Sequence, residues 1–107
     1  MNATKNILWW LIANSAGGTN RGKIIIELSR EPQNANSLSK ILSLDYKTIR
    51  YHLGVLMENK MIISVGKGYG KTYFLSDELE DNWDVFVEIW NRIGKKIDKS
   101  PKENGRG

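Results

Sequence analysis

The stretch NSLSKILSLDYKTIRYHLGVLMENKMI, Asn36 to Ile62, decides how this chain is read. Asn36 is a good N-cap, and the residues after it predict a short helix from Ser37 to about Ser43, with Leu38, Ile41 and Leu42 pointing inward. Leu44 completes a tight turn. Asp45 then caps a longer helix, Tyr46 to about Asn59, whose apolar stripe is Ile49, Leu53 and Leu56. A short helix, a tight turn and a longer amphipathic helix form the unit that holds one helix proud of a protein surface. A DNA major groove admits one such helix.

Past Lys60 the apolar period changes. Met61–Val65 reads as a strand, Gly66-Lys67-Gly68-Tyr69-Gly70 as a glycine-rich hairpin tip, and Lys71–Leu75 as the return strand. The spaced glycines are no dinucleotide fingerprint, because they do not open a helix. Ser76 and Asp77 start a last helix expected to run to about Ile97. Leu79, Trp83, Phe86, Trp90, Ile93 and Ile97 fall on one heptad stripe of it, with Val87 and Ile89 flanking. The polar stretch Asp98–Gly107 is expected to be a disordered tail.

On the other side, a helix is expected from about Asn20 to Glu31, with Ile24, Ile25 and Leu28 inward. Pro32 ends it, and Gln33-Asn34-Ala35 is a connector. Thr4 is expected to cap a first helix built on the apolar run ILWWLIA, Ile7–Ala13, which stops at the loop Asn14–Gly18. The run is apolar nearly all round, so it must be covered on more than one side. As an export signal every element is at its lower limit: Lys5 alone for charge, a short apolar run, and Ala13-Asn14-Ser15 as the small-residue site.

Composition narrows the function classes. The chain has 107 residues, a length for one domain, and is 40% hydrophobic and 26% charged. It has no Cys, so disulfides, thiolate zinc sites and thiol catalysis are excluded. His52 is the only histidine, so a His-rich metal site and the usual Ser–His or Cys–His relay are excluded too. We expect no enzyme, no metal site and no cofactor. No stretch approaches the length of a membrane span, so no membrane partner is expected. The net charge is +4, and it is unevenly spread. Residues 36–73 carry six basic against two acidic side chains, whereas residues 74–107 carry six basic against eight acidic. A polyanion would meet the middle segment, with the acidic stretch Asp77–Glu88 turned away.

The order of these elements is that of a winged helix-turn-helix, and the residues resemble a family. Thr48-Ile49-Arg50-Tyr51-His52-Leu53-Gly54-Val55-Leu56 is similar to the recognition-helix signature T-[VI]-x-x-H-L-x-x-L of ArsR-like transcription regulators, most of all their small archaeal members. Gly70-Lys71-Thr72-Tyr73-Phe74 is similar to the family's return strand. The resemblance covers residues 20–76. It implies a mainly α fold with a two-stranded β wing and additional N- and C-terminal helices. It also implies a cytoplasmic, homodimeric, sequence-specific binder of double-stranded DNA. The metal-sensing Cys and His clusters of the family are missing here, so that property does not carry over.

The expected organisation is an N-terminal hydrophobic helix at 1–18, a DNA-binding unit at 19–76, a dimerisation helix at 77–97 and a tail at 98–107. Candidate DNA contacts are Tyr46 and Lys47 in the first turn of the recognition helix, then Thr48, Arg50 and Tyr51. Arg50 could grip guanine with both arms or clamp a phosphate. Tyr51 could meet a thymine methyl or a phosphate, or cover the core edge. Lys67, Tyr69 and Lys71 are the candidates on the wing, and Asn36 and Ser37 at the start of the preceding helix could offer their N–H groups and hydroxyl to a phosphate, with simple capping as the other reading. His52 reads as a structural, hydrogen-bonded histidine, with phosphate contact as the other reading. Trp9, Trp10, Leu79, Trp83, Phe86, Trp90, Ile93 and Ile97 are candidates for a dimer contact. The alternative function is a winged-helix module that binds protein instead of DNA, an option kept open by Tyr46 and Tyr51.

Overall fold

The computed structural model describes residues 2–95. Helix α1 spans Ala3–Leu8 and runs straight into a π-helical turn, Trp9–Ala13. The cap is Asn2, whose side chain accepts from the Lys5 N–H at 3.1 Å, and not Thr4. Thr4 is buried instead, with its hydroxyl on the carboxylate of Glu78. The π turn is closed by the Asn14 N–H on the Trp9 carbonyl, 3.1 Å away. Leu8, Leu11 and Ile12 go into the core, while Trp10 stays 52% exposed.

Helix α2, Gly18–Arg30, buries Ile24, Ile25, Ile26 and Leu28. Glu31 is extended at φ −166° and ψ 149°, the conformation favoured by the residue before Pro32. Gln33-Asn34 then forms a short strand, β1, where a connector was expected. It pairs antiparallel with β3, Thr72–Leu75, which also pairs with β2, Ile62–Val65. The sheet therefore has three strands in the order β1-β3-β2, not two. Two polar residues carry no alternation of their own, so their pairing comes from the partner strand.

Helix α3, Ala35–Leu42, begins earlier than expected because Asn34, not Asn36, is its cap: the Asn34 side chain accepts from the Ser37 N–H at 2.8 Å. Leu38 is buried and Leu42 half-buried, but Ile41 is exposed, against expectation. Ser43, at φ 54°, turns the chain toward helix α4, Tyr46–Glu58. Asp45 caps α4 by accepting from the Lys47 N–H at 3.0 Å. Ile49, Leu53 and Leu56 are buried as the stripe requires.

The last helix is not continuous. It divides into α5, Asp77–Asp81, and α6, Trp83–Arg92, at Asn82. The Ser76 hydroxyl starts α5 by accepting from the Leu79 N–H and donating to the Lys60 carbonyl. At the break, the Asn82 side chain donates to the Glu78 carbonyl and accepts from Asn2. Part of the heptad stripe is spent inside the chain. Leu79, Phe86 and Trp90 are buried in the same core as α1, α2 and α4, and Trp83, Phe86 and Trp90 stack in series at 5.0 and 5.7 Å. A stripe of this spacing covers a domain as readily as it pairs with a second helix. Ile97 and the expected tail lie outside the described residues.

Candidate nucleic-acid interface

Helix α4 divides cleanly into two faces. Its inner face is Ile49, His52, Leu53 and Leu56, all buried. Its outer face carries Lys47, Arg50 and Tyr51, all exposed, with Tyr46 and Thr48 half-buried at the flank. The 3.6-residue period alone forces this split.

Arg50 reaches back along the helix to Tyr46. Its guanidinium donates to the Tyr46 hydroxyl at 3.5 Å and lies 6.0 Å from the centre of the Tyr46 ring, one helical turn away. The Tyr46 hydroxyl, with help from the nearby Tyr73 and Tyr69, raises the Arg50 pKa above its already high value. The guanidinium, charged at any physiological pH as arginine always is, thus lies beside the Tyr46 ring. Tyr73 itself is buried in the sheet, and burial pushes its phenol up. Tyr69 comes from the wing tip.

The wing is the β2–β3 hairpin, closed by a 3₁₀ turn at Gly68–Gly70. Its turn passes through Gly66 at φ 101°, a left-handed angle open to glycine. Tyr69 stands 88% exposed at the tip, Lys67 is exposed and Lys71 half-buried. Ser37 is half-buried and its N–H is taken by the Asn34 side chain, which leaves its hydroxyl as the donor it could offer a phosphate. Of the sequence-derived contacts, Lys47, Arg50, Tyr51, Lys67 and Tyr69 are exposed, while Ser37, Tyr46, Thr48 and Lys71 are half-buried.

His52 is a structural residue, as its sequence position indicated. It is buried, and Arg21 Nη1 lies 3.2 Å from its Nδ1. The sequence reading missed Arg21. It is only 2% exposed, with Nε donating to the Leu11 carbonyl at 3.0 Å and Nη2 donating to the Ala16 carbonyl at 2.9 Å and to the Ser15 hydroxyl. A signal was there: Arg21 shares the inward face of α2 with Ile24, Ile25 and Leu28. For Nδ1 to accept from a guanidinium, the imidazole must be neutral with its proton on Nε2. Burial first, and the Arg21 charge second, lower the His52 pKa. Burial lowers that of Arg21 as well, though not enough to discharge an arginine.

The dimer candidates divide in the same way. Leu79, Phe86 and Trp90 are buried by their own chain and offer no surface to a second one. Trp9, Trp83 and Ile93 are half-buried, and among the described members of the set Trp10 alone is exposed. Among the described residues no His, Asp and Glu cluster could hold a metal, and no helix is long and apolar enough to cross a membrane.

No protein-family model matches the chain, and no curated protein matches it either. Solved structures do. The chain is similar to reduced HlyU of Vibrio cholerae at 19% identity and a TM-score of 0.61, covering 87% of this chain and 92% of that one. It is similar to the transcriptional regulator HlyU of Vibrio vulnificus at 17% identity and 0.60, covering 86% and 88%. An ArsR-like transcriptional regulator from a Rhodococcus species matches at 25% identity and 0.58, covering 87% and 89%. These are bacterial proteins, so the expected likeness to archaeal members finds no support in them. At these identities the likeness is one of fold, and the fold is the winged helix-turn-helix.

Proposed function

We propose that the chain is a sequence-specific regulator of transcription that binds double-stranded DNA as a homodimer in the cytoplasm. Helix α4 enters the major groove, and the wing, Gly66–Lys71, lies on the backbone or in the minor groove. The observation that carries this reading is Arg50 set against Tyr46 on α4, with Lys47 and Tyr51 exposed on the same outer face. A preorganised guanidinium loses less freedom when it grips guanine O6 and N7. Lys47, Lys67 and Lys71 supply phosphate contacts, which fix register and add affinity without sequence information. Tyr51 and Tyr69 offer flat apolar rings to a base methyl or sugar.

One small domain makes few phosphate contacts, and two on a rigid dimer read two half-sites about one helical turn apart. Trp10 is the anchor we assign to that dimer, with Trp9, Trp83 and Ile93 as the partly covered residues available beside it. The test is fluorescence anisotropy on duplexes selected from a random pool, over a salt series. We expect the affinity to fall steeply with salt, and Arg50→Ala to weaken the selected sequence by about 1–3 kcal/mol while sparing non-specific DNA. No salt-dependent binding to any duplex overturns the reading.

A second reading, a protein-binding winged helix without DNA activity, draws on the exposed Ile63, Val65, Tyr51 and Tyr69. A stable protein partner together with negative DNA binding would favour it.

A further inference from the structure

The N-terminal segment and the recognition helix are clipped together by one side chain. Three donor contacts of Arg21 go to the segment that follows Trp10: the Leu11 carbonyl, the Ala16 carbonyl and the Ser15 hydroxyl. Its remaining contact goes to His52 on α4. The guanidinium is a rigid planar fork, so a shift of one set of acceptors is felt at the other. The first set belongs to the π-helical turn and the loop after it. A π turn is an uncommon backbone form, and the Leu11 carbonyl within it accepts from both Arg21 Nε and the Ser15 hydroxyl.

The loop also presses on the imidazole. A methyl at Gly17 would lie 2.5 Å from His52 Cε1, so the ring has no space to move on that side. On its other side is Tyr51, whose ring meets that of His52 edge-on at 5.2 Å and is itself 64% exposed on the outer face. The imidazole thus faces Arg21 from α2, Gly17 from the loop and Tyr51 from its own helix. Of these Arg21 is the one that is charged at neutral pH.

We propose that Arg21 is a positioning residue for the recognition helix: through neutral His52 it holds α4 in its DNA-reading orientation and couples that orientation to the segment bearing Trp10. This inference rests on the DNA-binding reading above. Adding a proton to His52 Nδ1 removes the acceptor and sets two cations 3.2 Å apart in a buried site. The link then opens, and both surfaces loosen together. The direction is diagnostic. A new positive charge near a polyanion ordinarily strengthens binding on acidification. Here acidification weakens it.

The full chain supplies its own probe, because His52 is the only histidine and its Cε1–H resonance is unique. We would titrate that resonance and the Trp10 indole N–H of the DNA-free protein, and measure duplex affinity over the same pH range. The comparison variant is His52→Asn, whose side-chain oxygen can take the place of Nδ1 as acceptor and does not titrate. The expected wild-type result is one shared midpoint for His52 and Trp10, with affinity about tenfold weaker on the acid side. In His52→Asn we expect neutral-pH affinity retained and both pH responses absent. Arg21→Lys keeps the charge but loses the fork, and should weaken DNA binding at neutral pH without unfolding the chain. The proposal is overturned if Trp10 does not follow His52, or if His52→Asn keeps the wild-type pH response. If the wild type binds no duplex at any pH, the DNA reading fails by itself, and the paired titration still decides whether the segment and α4 are coupled.

Discussion

Gly22 of α2 lies flat against the ring of Trp90 of α6: a methyl placed on Gly22 would stand 2.0 Å from Trp90 Cζ3. That contact holds the C-terminal helix on its own domain. It explains why Trp90, which sits on a dimer-like stripe, is spent within the chain.

Gly22→Ala is accordingly expected to destabilise the fold by about 1–3 kcal/mol, because the added carbon must displace a packed ring and not a flexible side-chain end. Urea unfolding followed by tryptophan fluorescence reads the change. A neutral result would mean that α6 can slide on α2 without cost.

The cap of α3 gives a paired comparison. Asn34→Ala removes the acceptor for the Ser37 N–H and should cost about 1 kcal/mol, whereas Asn36→Ala, two residues on and exposed, should stay within about 0.5 kcal/mol of wild type. Equal losses from the two changes would contradict the cap at Asn34.

Trp10→Glu tests the assembly. Trp10 is exposed in the single chain, so the charge should leave the monomer fold intact, and thermal unfolding of the diluted protein should change little. Sedimentation at micromolar concentration should show wild type as a dimer and the variant as a monomer. A wild-type monomer would remove Trp10 from any interface with a second copy. Phe86→Ala should behave differently. It empties a fully buried site, so it should cost about 3–5 kcal/mol of stability whatever the oligomeric state.

Stability should depend on pH through His52. Its folded pKa lies below the ordinary 6.5, so the unfolded chain binds the proton first as pH falls. The stabilisation is fully present above pH 6.5 and is lost as the pH drops through the folded value. The slope from this one group cannot exceed about 1.4 kcal/mol per pH unit. Urea midpoints of wild type should therefore fall on acidification from neutrality, and those of His52→Asn should fall less. Identical slopes in the two proteins would place the acid sensitivity elsewhere.

The recognition helix was legible because everything that makes it is local. Asp45, the Ile49–Leu53–Leu56 stripe and the outward Lys47 and Arg50 lie within a few turns of one another, and a 3.6-residue period settles their faces. The pairing of β1 was not legible, since Gln33 and Asn34 are ordered by β3 from some forty residues away. That displaced the cap of α3 from Asn36 to Asn34. The bend at Asn82 was hidden for a similar reason: the stripe from Leu79 to Trp90 keeps its spacing through it, and the side chain that meets it is Asn2 at the opposite end of the described chain.

The run ILWWLIA shows where the boundary falls. By itself the sequence determined that this segment is helical and must be covered, that the middle of the chain is a helix, turn, helix and hairpin, and that the basic excess gathers there. Those properties follow from period, capping and charge, which act between near neighbours. Only the tertiary structure decided which faces were already satisfied. It put Leu8, Leu11 and Ile12 inside, left Trp10 out, and spent Leu79, Phe86 and Trp90 on the chain's own core. It also buried Arg21 against His52. An apolar stripe states that a surface must be buried, and distance along the chain carries no information about which surface will cover it.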